Sequence, residues 1–315
     1  MIVYLGTIDT QDLGSSEQPR YHHNVRLKSL LTLDESSQYE HAEQSLFSVR
    51  AHAHLFAILV WNFEDFIRGV ANHLSAYATK DAHALASRPP QLDINRLALN
   101  FLSSMRTYLD HLETSIAKRH GPESVNLANF RQYCSDAYDS HFSYRFLYRL
   151  RNYAQHCGLP IGQITFTTQP SEDDPRTPVH RLSVAVLRDT ALRDFDWGPL
   201  KEELAAQEPS VDFPSHITNA MPVLERINSH VIADELPTLT ESAQRICDLA
   251  ERAQSERGEP CIFHFEKSVV SDDEPKRLTI DNLNFRHIPL DMAKAIVKSG
   301  YDAVATTPEP SSTIH

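Results

Sequence analysis

The sequence predicts a mainly α protein, an antiparallel helical bundle followed by a smaller α+β region with a β-hairpin. Three observations predict it. Between residues 37 and 160 apolar side chains recur every three or four positions over long stretches, which is the helical period. The connections between those stretches are short, as in an antiparallel bundle. After Pro160 the pattern changes to alternation and β-branched residues.

The elements follow in order. Ile2, Val3, Tyr4 and Leu5 are β-formers, so the first ten residues predict a strand. Residues 11–38 are polar and turn-rich, and predict a loop or a ragged strand pair. A long helix is expected from about Ser37 to Thr79, with Phe56, Leu59, Phe63, Ile67, Val70, Leu74 and Tyr77 at helical steps. Its apolar run Leu55–Trp61 implies burial in mid-length, and is far too short by itself to span a membrane. A second helix, from about Asp93 to Arg119, carries Ile94, Leu97, Phe101, Met105, Tyr108, Leu112 and Ile116. Asp93 is placed to cap it, and Gly121-Pro122 to stop it. A third helical region runs from Pro122 to Cys157, with a break near Asp139-Ser140, and ends at Gly158-Leu159-Pro160.

Ile161–Thr168 and Val179–Arg188 read as a β-hairpin across a Pro- and Asp-rich loop. Helical pattern returns over residues 199–207 and 215–256, interrupted at Pro222 and Pro237. Residues 260–270 and 276–280 read as strands, and 289–299 as a short helix. The tail, 301–315, has the composition of a disordered segment. Four regions result: an N-terminal strand and loop segment (1–36), the bundle (37–160), an acidic α+β accessory region (161–300) and the tail (301–315).

Composition narrows the chemistry. The nine glycines cannot be assembled into a dinucleotide or P-loop fingerprint. The net charge of −12 excludes a globally basic nucleic-acid coat. That charge is uneven. Residues 1–160 hold 15 Lys and Arg against 16 Asp and Glu, and the remainder holds 15 against 26. The excess acid therefore lies beyond residue 160. Four cysteines without CxxC spacing argue against a zinc ribbon or a dithiol centre. No secretory signal pattern opens the chain, so a cytoplasmic location is expected. The histidines show no HExxH-like spacing, and neither a metal nor another cofactor is expected.

The most informative stretch is Ser143–Pro160, SYRFLYRLRNYAQHCGLP. Arginine matches phosphate with permanently charged, planar donors. Aromatic rings offer stacking surface for bases, and histidine moves protons near neutrality. On a helix Asn152, Arg149 and Arg145 lie within about 40° of His156, whereas Arg151 lies about 140° away. Arg151 and His156 therefore meet only if the helix is distorted near Gly158, or if a second chain completes the site.

Arg151-Asn152-x3-His156 resembles the Arg–polar–x3–His signature of the HEPN superfamily, a group of helical-bundle proteins that includes many RNases. The bare Arg-x4-His spacing also occurs at Arg68–His73 and Arg106–His111. The Asn that follows Arg151 and the end-of-bundle position single out Arg151–His156. Arg149-x6-His156 fits a looser form of the same signature. Trp61–Phe66 resembles an acidic position early in that superfamily's bundle, which would fall on Glu64. The resemblance reaches at most over residues 37–160.

It implies a metal-independent endoribonuclease acting as a homodimer, in a bacterial toxin or antiviral defence setting. RNA would be the substrate, a protein inhibitor or regulator a further partner, and no membrane would be involved. Arg151, Asn152 and His156 would be catalytic. Arg149, Arg145, Glu64 and Tyr153 would support the site or bind RNA. The other reading of the same residues is a non-catalytic helical interaction or dimerisation protein, with a cationic last turn that favours the helix dipole.

Overall fold

The computed structural model describes residues 2–12, 21–172, 174–254, 258–265 and 284–300. The protein is mainly helical with smaller antiparallel sheets. It divides into two units: one from residues 54–234, the other from 1–53 together with 235–315. The boundaries expected at 36 and 160 are not where the chain divides. Instead it passes from one unit to the other inside two long helices.

The unit formed by residues 54–234 holds the candidate site. It takes the second part of α1 (Leu33–Ala78), then α2 (Ala82–Ser87), α3 (Pro90–His120), α4 (Val125–Ser140) and α5 (Phe142–His156). Strands β3 (Gln163–Pro170) and β4 (Pro178–Leu187) follow, then α6 (Arg188–Asp194), α7 (Lys201–Ala205), β5 (Ser210–Asp212) and the first part of α8 (Phe213–Ala253). The three strands form an antiparallel sheet in the order β3-β4-β5. Phe101, Met105 and Tyr108 from α3, Phe146 and Leu150 from α5, Val184 and Val186 from β4, and Ile217 and Leu224 from α8 share one core. Bundle and hairpin are thus one hydrophobic unit, which is why residue 160 is no boundary.

Local chemistry explains the helix ends. A capping box at Thr32 and Glu35 starts α1: the Thr32 N–H donates to Glu35 Oε2 at 2.9 Å, and the Glu35 N–H donates to Thr32 Oγ1 at 3.1 Å. The helix therefore begins about four residues before the hydrophobic period does. α3 opens on Pro90, with proline in its first turn, rather than on an Asp93 cap. Ser124 caps α4 by accepting from the Leu127 N–H at 3.3 Å. The break between α4 and α5 falls at His141, which is extended.

Pro222 and Pro237 do not interrupt α8, which runs unbroken from Phe213 to Ala253. Proline removes one helical hydrogen bond, but here Met221, Val223 and Leu224 beside Pro222 are buried, and packing of that face holds the helix through it.

The second unit contains a four-stranded antiparallel sheet, β2-β1-β6-β7. Its strands are β1 (Ile2–Asp12), β2 (Tyr21–Leu30), β6 (Glu259–Phe265) and β7 (Asn284–His287). β2 lies where a loop or ragged pair was expected, and its register to β1 shifts between Leu5 and Gly6. One face of the sheet, with Val3, Leu5 and Ile262, packs on the first part of α1, the second part of α8 and α9 (Leu290–Ser299). Tyr39, Ala42, Leu46, Val49 and Ala53 make the α1 stripe, at steps of three and four. The strand expected at 276–280 and the tail at 301–315 lie outside the described residues.

By length and composition, α1 is a helix long and apolar enough to cross a membrane. The seven-residue run Leu55–Trp61 does not reveal this, because a long apolar helix tolerates scattered polar side chains that end an uninterrupted run.

Candidate functional site

α5 carries every site residue expected from the sequence except Glu64. Its apolar face is fixed by a second aromatic layer. Phe146 stacks on Trp197 with ring centroids 5.8 Å apart, and Tyr153 stacks on the same indole at 6.3 Å. Trp197 is fully buried and donates its indole N–H to the Ala191 carbonyl at 2.8 Å. The segment after β4 therefore clamps α5 in one rotation about its axis, and that rotation decides where each arginine points.

The arginines separate into two kinds. Arg145 donates to the carbonyls of Tyr138 at 2.8 Å and Asp139 at 3.1 Å, and pairs with Glu203. Arg149 donates to the Asp196 carbonyl, and its guanidinium lies 5.3 Å from the Phe195 ring centroid. Both tie α5 to residues 195–203. Arg151 is different. It donates to the side-chain oxygens of Gln155 and, at 3.4 Å, Asn152. It forms no salt bridge with any described residue. Burial lowers its pKa, and the neighbouring Arg106 guanidinium on α3 lowers it further, against the pull of Asp110.

His156 closes the helix and is exposed, with no hydrogen bond or ion pair to a described residue. α5 is regular through His156, and the chain turns only at Cys157, whose N–H donates to the Tyr153 carbonyl at 2.8 Å. The angular separation of about 140° between Arg151 and His156 therefore persists within one chain. Of the two ways they could meet, distortion of the helix is not used.

Two supporting residues do not take the expected place. Tyr153 is 5% exposed and packs between Phe195 and Trp197, so its ring has no face left for a base. Glu64 is exposed on α1 and holds none of the α5 arginines, nor any other described cation. What the sequence did not reveal is Arg106. It pairs with Asp110 at 2.8 Å, lies 4.6 Å over the Tyr148 ring, and is near enough to Arg151 to lower its pKa. Only the packing of α3 on α5 brings these cations together, so spacing along the chain carries no sign of it.

A cavity of about 410 Å³ lies elsewhere in the same unit, between α1, α2 and α3. Arg68, His73, Arg88, Asp93 and Arg96 line it, and none of the α5 site residues does. Among the described residues no three His, Cys, Asp or Glu side chains are grouped to hold a metal ion. No family model matches the chain, and no curated protein or solved structure matches it either.

Proposed function

We propose that the protein is a metal-independent endoribonuclease of the HEPN type, with Arg151, Asn152 and His156 as its catalytic residues and a homodimer as its working form. The observation that carries this reading is the contrast along α5. Arg145 and Arg149 are bound into the fold, whereas Arg151 has no carboxylate partner and His156 stands exposed at the helix end. Arg106, although paired with Asp110, adds positive charge near Arg151, which favours an anion there.

The chemistry is a transesterification. One His156 takes the proton of a ribose 2′-hydroxyl, and the oxygen attacks the adjacent phosphorus. The P–O5′ bond breaks, and the leaving oxygen takes a proton from a second acid, the His156 of a second copy. The products are a 2′,3′-cyclic phosphate and a 5′-hydroxyl. Arg151 stabilises the charge gathered on the phosphorane oxygens, and Asn152, hydrogen-bonded to Arg151, positions that guanidinium. A second copy is required because Arg151 and His156 face apart on one regular helix.

The test is cleavage of single-stranded RNA in the presence of a chelator. His156→Ala and Arg151→Ala should each lower the rate at least a hundredfold, with 2′,3′-cyclic phosphate ends in the wild-type products. Cleavage at the wild-type rate by both variants sinks the proposal. It would leave the bundle as a non-catalytic interaction module, in which His156 only complements the helix dipole.

A further inference from the structure

The cleft between α1, α2 and α3 is not used by the endoribonuclease reading. Its volume of about 410 Å³ suits a small ligand. Arg68 comes from α1, Arg88 follows α2, and Arg96 comes from the first turns of α3. Two carboxylates hold the first and third in place. Asp93 accepts from Arg96 Nε at 3.1 Å and Nη2 at 2.7 Å, and Asp65 accepts from Arg68 at 3.3 Å. Behind them His73, 6% exposed, places its Nε2 3.1 Å from the other oxygen of Asp93. Asp93 is thus braced from two helices and cannot swing to neutralise a third cation.

Arg88 makes no side-chain hydrogen bond or ion pair with a described residue. A guanidinium has five N–H donors. Arg68 uses one of its five and Arg96 two on their carboxylates, so most of the donors in the cleft remain open. Three guanidinia against two carboxylates leave a net positive cleft, and planar forked donors suit phosphate oxygens better than any neutral group. Among the described residues no Phe, Tyr or Trp lines the cleft, and the His73 ring is buried, so it offers no platform for a base. Asn72 and Ser87 on its wall are suited to hydroxyl groups. The close seam of α1 on α3 that forms the floor depends on Gly69, where a Cβ would lie 2.3 Å from Leu97 Cδ1.

We propose that this cleft binds a small phosphate monoester on a hydroxylated body, its phosphate held by Arg68, Arg88 and Arg96. The site is separate from α5 and stands whether or not the protein cleaves RNA.

Titration calorimetry on the intact protein tests it, with ribose 5-phosphate, inorganic phosphate and ribose as probes. Ribose 5-phosphate should bind, inorganic phosphate at least tenfold more weakly, and ribose not at all. Arg88→Gln should weaken ribose 5-phosphate at least tenfold, and the Arg68→Gln/Arg88→Gln double variant should abolish binding. Both side chains are exposed, so the double variant should keep the wild-type circular dichroism and melting point. His156→Ala should bind as the wild type does, which separates this site from the ribonuclease reading. The proposal is overturned by absence of binding at about 5 mM ligand, or by undiminished binding in the folded double variant. Equal affinity for inorganic phosphate overturns it in favour of a site for the free ion.

Discussion

Arg145, Arg149 and Arg151 lie within seven residues of one helix. Spacing sets Arg151 apart from the stripe that Arg145 and Arg149 share with His156, but it does not show their partners. The side chain of Arg145 is 15% exposed and joins two carbonyls and Glu203. Arg145→Ala should cost about 1.5–3 kcal/mol in urea unfolding, because charge-assisted bonds are lost and acceptors are left unpaired. Arg151→Ala, which loses only the neutral partners Asn152 and Gln155, should cost less than about 1 kcal/mol while removing activity. Glu203, which pairs with Arg145, and the Asp196 carbonyl, which accepts from Arg149, lie some fifty positions later. Helical spacing could therefore place Arg145 and Arg149 on one stripe and Arg151 off it, but could not say which of them the fold would occupy. Tyr153 was ambiguous for the same reason, since a tyrosine at a core position and one at a stacking position have the same spacing until Trp197 covers it.

His216 gives a pH signature at this scale. Its ring packs on Phe142 and Phe146, and its Nδ1 lies 2.9 Å from Ser143 Oγ. Burial lowers its pKa, with Asp212 partly opposing. The unfolded chain therefore takes up a proton on this residue at higher pH than the folded one does. Its contribution to stability is complete above about pH 6.5 and is lost as pH falls through the folded pKa below that. His264 shifts in the same direction, through burial and then Arg286. Unfolding by urea should show lower stability at pH 5.5 than at pH 7.5, and His216→Gln should narrow the difference. An unchanged difference would mean that His216 is not the group responsible.

At the scale of elements, the long helices of the bundle and the β3–β4 hairpin were legible from their periods, whereas the short α2 and α6 were not. Errors came where local chemistry and packing disagree with periodicity. The capping box at Thr32 and Glu35 starts α1 before its apolar stripe begins. Asp93 looked like a cap and instead ties His73 to Arg96. α8 shows the opposite conflict, with two prolines inside one continuous helix. Both Pro222 and Pro237 are exposed, so their rings contribute little packing. Pro222→Ala restores a helical hydrogen bond and removes the ring clash, against a smaller loss of rigidity in the unfolded chain. It should raise stability by about 1–2 kcal/mol, visible as a higher melting temperature. A lower one would show that the proline sets a bend on which the packing of Ile217 and Leu224 depends.

For the whole molecule, the charge asymmetry limits how RNA can be held. Acid beyond residue 160 makes broad adhesion to a polyanion unfavourable, while Arg106 and Arg151 supply a narrow cationic spot. Binding of single-stranded RNA to a His156→Ala variant should therefore depend weakly on salt. A slope of log affinity against log salt near −2, as for two or three phosphates, is expected. A slope beyond about −6 would mean an extended track that the described surface does not supply. Domain organisation was the least legible feature. Composition changes at residue 160, but the division follows which segments share a core, and the strands at the two ends of the chain share one. Pairing between segments some 260 residues apart leaves no local trace.

That pairing has a consequence for synthesis. β1 needs β6 on its open edge, and the 181 residues from 54 to 234 are translated between the two halves of that unit. At ordinary translation rates the nascent β1–β2 segment waits roughly 10–40 s before its neighbour leaves the ribosome. The helical bundle is made within that interval and can fold first. Until then Val3, Leu5 and Ile8, buried in the finished protein, stand on a strand with one edge unpaired. Chaperone demand in the cell should therefore be set by β1, made ahead of the bundle, and not by the bundle that carries the proposed chemistry.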